Sequence, residues 1–299
     1  MTTPYVTGYC ERLTLKAGEA QRFMVSGEGV DAVDLHIVRL IHGDENPAGP
    51  GFIEREVAAS CNGRIPVTHQ FTQVGSFIRV PDPDRKVCPS RGFTAHAFIW
   101  PTTPGRRAQA ILSRWVESPS HGAGMGFWLG INAQGRLALR LGNGTEQVEV
   151  SADTGLVAKV WYLVAASYDA ATHTITLYQE PVINSYNGLL SRIVPLAHQS
   201  HVMTRVAVAP ADIDDPLLFA GHHATGSHGR CVQGLYNGKI DRAGFQSRVL
   251  TRIELDGLRA GGEPPVDGCV ARWDTTAGYT DAGIDDALLD TGPNSLHGH

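Results

Sequence analysis

The chain has 299 residues, with 25 Lys and Arg against 30 Asp and Glu, for a formal net charge of −5. That length can bury a sizeable core, and 42% hydrophobic with 18% charged residues is a globular composition, which excludes a disordered chain. No basic stripe with interleaved aromatics occurs, which excludes a nucleic-acid footprint, and no apolar run approaches ~20 residues, which excludes a membrane-spanning helix.

The opening residues, Met1 to Tyr5, lack a charged segment followed by an apolar one, so a cytoplasmic location is expected. Five cysteines, at positions 10, 61, 88, 231 and 269, are odd in number and widely spaced, with no C-x-x-C. Reduced, buried thiols fit this better than a disulfide framework or a zinc knuckle. With 34 Gly and 17 Pro and few helical periodicities, the chain is expected to be all-β.

Residues 1–84 are expected to form a small immunoglobulin-like β-sandwich. Arg12–Leu15, Ala20–Ser26 and a long alternating strand over Asp34–His42 are separated by turns at Lys16–Glu19 and Gly27–Gly29. The segment His42–Phe52 then packs three Gly and two Pro into eleven residues. Two readings of it stand: a plain hairpin connection, or a stiff surface for docking or for a ligand, with His42, Asp44 and Asn46 as candidates. Residues 81–92 are Pro-rich and charged, and a linker is placed at 85–92.

Residues 93–277 are expected to form a second, larger sandwich. Phe93–Trp100 alternates two sets that both contain apolar residues, as in a strand covered on both faces. Ala108–Trp115 is read as its partner strand. Arg136–Leu141 has the clearest period of two, with Leu137, Leu139 and Leu141 on one face. Val160–Asp169 and His173–Gln179 read as a hairpin, residues 180–210 as a long irregular excursion, and Leu217–His223 as a strand. Gly238–Gln246 is the closing strand. A short helix follows, with Thr251 as N-cap, Glu254 completing a capping box and Leu250 as half of a hydrophobic staple. Residues 278–299 are Gly- and Asp-rich and are expected to lead outward as a tail.

Two resemblances emerge. The run WYLVAASYD at 161–169 and the strand-plus-helix at 238–258 resemble the concanavalin A/laminin-G jelly roll. The string VRLIHGDENPAGPGFIE at 38–54 resembles the N-terminal region of the large (beta) subunit of the N,N-dimethylformamidase family. GYCER at 8–12, RFMVS at 22–26, QFTQVGS at 70–76 and DTGPNSLHG at 290–298 fit the same family. The resemblance implies an iron amidohydrolase acting on small N-substituted formamides. It also implies that the iron, held by Tyr, His and Glu, belongs to a downstream catalytic region, leaving no cofactor in this chain. A small subunit and homo-oligomer contacts are implied as partners. The role expected here is non-catalytic docking or shielding, with a free-standing carbohydrate-binding module as the alternative.

The remaining chemistry-bearing clusters are few. His222, His223, His228 and Cys231 fall within ten residues, but adjacent strand histidines point to opposite faces and no regular ligand spacing appears. Asp212, Asp214 and Asp215 form an oxygen-rich stretch that reads as a polar turn or a calcium rim. The strand-borne carboxylate triplet of jelly-roll glucanases, a nucleophile elbow, H-E-x-x-H and a Walker A loop are all absent. A sugar platform would need Trp100, Trp115 or Trp128 exposed, and all three are expected in the core.

Overall fold

The computed structural model describes residues 4–46, 48–70, 75–117, 122–182, 198–226, 229–278, 280 and 286–299. It divides into two compact units, 1–72 and 73–299.

The first unit holds three antiparallel pairs. They are built from β1 (Tyr5–Cys10), β2 (Phe23–Glu28), β3 (Ala32–Leu35), β4 (Val38–Gly43), β5 (Phe52–Glu56) and β6 (Gly63–Pro66), paired as β1 with β2, β3 with β6 and β4 with β5. The long strand expected over 34–42 is broken after Leu35, where the Ile37 amide donates to Asn62 Oδ1 at 2.9 Å, and its two halves join different partners. Instead of two facing sheets, the unit has small two-stranded sheets. Only Gly27 and Val67 are buried among its described residues. Isolated two-stranded pairs bury little, because neither face meets a second layer.

The second unit is a two-sheet sandwich with one short helix. Its strands are β7 (Ile78–Val80), β8 (Phe93–Pro101), β9 (Gln109–Glu117), β10 (Met125–Ile131), β11 (Leu137–Asn143), β12 (Gln147–Ser151), β13 (Tyr162–Asp169) and β14 (Thr174–Pro181). They continue with β15 (Ser200–Arg205), β16 (Leu217–Phe219), β17 (His222–Gly226), β18 (Gly229–Gln233) and β19 (Gly238–Gln246). The helix α1 (Arg252–Arg259) precedes β20 (Cys269–Asp274) and β21 (Leu289–Asp290). One sheet runs β12-β11-β10-β9-β16-β7, with β17 and β18 joined at β9. The other runs β15-β14-β13-β8-β19-β20-β21.

The alternation within each strand builds the core. Phe93, Ala95, Ala97 and Ile99 of β8 face Leu137, Leu139 and Leu141 of β11 and the apolar residues of β9 and β10 in one cluster. Phe93, Phe127 and Phe245 meet there with ring centroids 4.9–5.6 Å apart. The opposite face of β8 is also covered: Phe98 joins Leu163, Ala165 and Tyr178 under Leu250, Leu255 and Leu258 of the helical segment. Both faces of β8 are therefore covered, as its sequence requires.

Two expectations change. β9 is not the partner of β8; the turn after Pro101 carries the chain to the opposite sheet, and β8 pairs with β13 and β19. The expected strand 217–223 splits at Ala220, whose φ of 59° breaks the extended run. The two compact units divide at 72–73. Asp82 receives the Lys86 and Val87 amides and pairs with buried Arg114 at 2.8 Å, so this segment is pinned into the sandwich. Residues 286–299 pack against this sandwich. β21 extends the second sheet, Leu288 and Leu296 enter the core, and the His299 backbone bonds to Arg79.

Candidate functional site

Glycine-rich loop 42–52 is the hairpin connection between β4 and β5. Its candidate side chains are engaged in shaping it. His42 Nδ1 lies 3.0 Å from the Gly51 carbonyl, Asp44 accepts from the Asn46 amide at 2.9 Å, and Asn46 accepts from the Ala48 amide at 3.1 Å. Successive side-chain-to-backbone turns of this kind hold a loop without a ligand.

The histidine pair on β17 does not converge. His222 is buried on one face, with Nε2 3.5 Å from Glu117, whose carboxyl this histidine's hydrogen bond holds below its ordinary range. His223 points the other way, with Nδ1 2.6 Å from Asp215, which also pairs with Arg230. Burial pushes the Asp215 carboxyl up, but the bonds from His223 and Arg230 outweigh it and leave the pKa lowered. His228 lies outside the described residues. The acid stretch is also divided among separate partners: Asp212 accepts from Ser90, Asp214 pairs with Arg85 at 3.5 Å, and Asp215 serves His223.

Among the described residues, no group of three His, Cys, Asp or Glu side chains converges as a metal site. No disulfide joins the five cysteines; Cys10 and Cys61 are exposed and the other three are half-buried, so none is the fully buried thiol expected. Trp115 and Trp128 are buried, and Trp100 is half-buried with Lys239 Nζ 5.1 Å from its ring. No open aromatic platform forms from these three.

One site was not singled out from the sequence. His96 lies on β8 between Thr94 and Phe98, on the face turned toward the helix. It is 1% exposed, and neither ring nitrogen has a hydrogen-bond partner in the protein. Burial pushes its pKa down to about 4. Opposite it, β19 carries a bulge: Asp241 pairs with Phe98 and Gly244 with His96, so Arg242 and Ala243 together oppose Ala97. A side chain at Gly244 would run into the imidazole. His96, Phe98, Leu258 and Pro264 line a cavity of about 400 Å³, rimmed by Arg242 and Arg272. The signal in the sequence was a histidine inside a strand with two apolar faces; the cavity itself depends on the bulge across from it.

This two-sheet unit with a helix lying across one face is a concanavalin A-like domain, and residues 72–182 match the family described as the concanavalin A-like lectin/glucanases superfamily. The chain as a whole is a homologue of the N-terminal portion of the N,N-dimethylformamidase beta subunit. It is 37% identical over 305 aligned residues to that subunit from Paracoccus aminophilus, covering 100% of this chain and 39% of the relative. To the beta subunit from an Alcaligenes species it is 35% identical over 299 residues, covering 98% of this chain and 38% of the relative. The chain thus spans about two fifths of the length of the curated relatives it matches. Among solved structures, the CBM40 of the Ruminococcus gnavus IT-sialidase superposes with a TM-score of 0.45 at 16% identity, covering 64% of this chain and 96% of that one.

Proposed function

We propose that this chain is the non-catalytic N-terminal part of a dimethylformamidase-type amidohydrolase, serving to dock or shield the catalytic region and partner subunits. The observation that carries the reading is identity above one third along the whole chain to beta subunits of that enzyme. One further feature goes with it. The first unit leaves Tyr5, Tyr9, Leu13, Phe23, Leu40 and Phe52 exposed, apolar side chains that a partner surface would cover. In this reading the iron sits in the remainder of the beta subunit, a small subunit and further copies of the assembly cover the exposed apolar residues, and the assembly is cytoplasmic.

An amidase assay on the chain alone, with iron supplied and N,N-dimethylformamide as substrate, is expected to release no dimethylamine. Turnover above a metal-only control sinks the scaffold reading. In parallel, Phe23→Asp and Leu40→Asp introduced into a full-length beta subunit are expected to weaken its co-purification with its partner subunit by tenfold or more.

A further inference from the structure

We propose that the cavity floored by His96 and Phe98 binds a small uncharged molecule carrying a hydrogen-bonding amide or hydroxyl group. A buried polar side chain almost always finds a partner, and His96, at 1% exposure, has none in the protein for either ring nitrogen. The ring is held in that position by design of its surroundings: the bulge in β19 sets Gly244 against it, and only a residue without a side chain fits there. At about 400 Å³ the cavity falls in the range of small-molecule sites, roughly 300–1,000 Å³.

The chemistry of the walls selects the ligand class. Burial keeps the imidazole uncharged at neutral pH, so it offers one N–H donor and one lone pair. The guanidiniums on the rim already have carboxylate partners: Arg272 bonds Glu263 at 2.9 Å, and Arg242 lies 3.6 Å from Asp241. An anionic ligand therefore finds no unpaired guanidinium there, while Phe98, Leu258 and Pro264 accommodate an apolar portion. The guanidinium of Arg242 lies 3.9 Å over the Phe98 ring, from a backbone at φ 43°, and its side chain is 51% exposed. A ligand that packs on the Phe98 ring takes the place of this guanidinium.

The test is a titration of the 299-residue chain labelled with ¹⁵N in its 13 histidines, followed through the ring nitrogens. The His96 signal is assigned by its loss in His96→Phe or, should that variant not fold, in His96→Gln. N-methylformamide probes the amide class and glycerol the hydroxyl class; acetate and methylammonium are the charged probes. A saturable shift of His96 with N-methylformamide or with glycerol is expected, and which of them acts tells the two sources apart. Arg242→Ala is expected to tighten binding of the active probe at least threefold. The absence of a saturable shift with both, or equal shifts with acetate or methylammonium, overturns the proposal. Because the readout is binding at His96, its failure leaves the amidase result untouched.

Discussion

At the scale of single residues, a buried ion pair and a buried histidine set how stability responds to change. Asp82 and Arg114 form an ion pair whose side chains are 0% and 2% exposed. Breaking a buried pair leaves the remaining charge uncompensated. Asp82→Ala is therefore expected to cost about 3–5 kcal/mol in urea unfolding, far above the ~0–1 kcal/mol of an exposed pair. An effect below 1 kcal/mol would show that Arg114 finds another partner. His96 gives a pH dependence whose sign follows from linkage. Unfolded, its imidazole titrates near 6.5; folded, near 4. Between those values the unfolded chain binds a proton that the folded chain does not. The stability is full above about pH 6.5 and falls as pH drops toward 4, by ~3 kcal/mol in total. His201 is displaced in the same direction by burial, so the informative quantity is the difference between wild type and His96→Phe. That difference should grow with pH across the window; parallel profiles would mean His96 is protonated in the fold.

The element that best rewards local reading is α1. Thr251 accepts the Glu254 amide at 3.3 Å, and Glu254 accepts the Thr251 amide at 2.7 Å, closing the capping box. Leu250, Leu255 and Leu258 are buried under the helix against Phe98 and Tyr178. Arg248 bonds Glu254 at 2.6 Å and, with the capping bonds, draws its carboxyl down to about 2 against the cost of burial. Thr251→Ala is expected to cost about 1 kcal/mol, read as a lowered urea midpoint with unchanged slope. The contribution of Glu254 is present above pH 4.5 and is lost as pH falls toward 2, a window below that of His96. These signals were legible because a cap and its staple lie within a few consecutive residues. The partner of β8 was not, since the turn after Pro101 is compatible with either a hairpin or a crossing to the opposite sheet.

For the molecule as a whole, the two units differ in kind. The second has a continuous core from Val80 to Leu296, whereas the first buries two described residues. Expressed separately, residues 73–299 are expected to unfold cooperatively. Residues 1–72 should bind a hydrophobic dye and show no cooperative transition. A sharp, reversible transition in the short fragment would mean that its exposed apolar residues are not the docking surface proposed for them.

By itself the sequence determined the all-β class, the double-faced strand at 93–101, the hairpin at 162–181 and the capped helix. Each depends on alternation or on contacts only a few residues apart. The family strings at 38–54 and 290–298 also read directly, and the relation to dimethylformamidase beta subunits follows along the whole chain. Tertiary structure alone decided which sheet each strand joins, where the units divide, and that 286–299 returns to the core. It also separated His222 from His223 and brought His96 of β8 beneath the bulge of β19, more than 140 positions away in the chain. Such placements depend on long-range register, which a period of two leaves free, so the histidine that spacing drew attention to and the histidine that lies in a cavity are different residues.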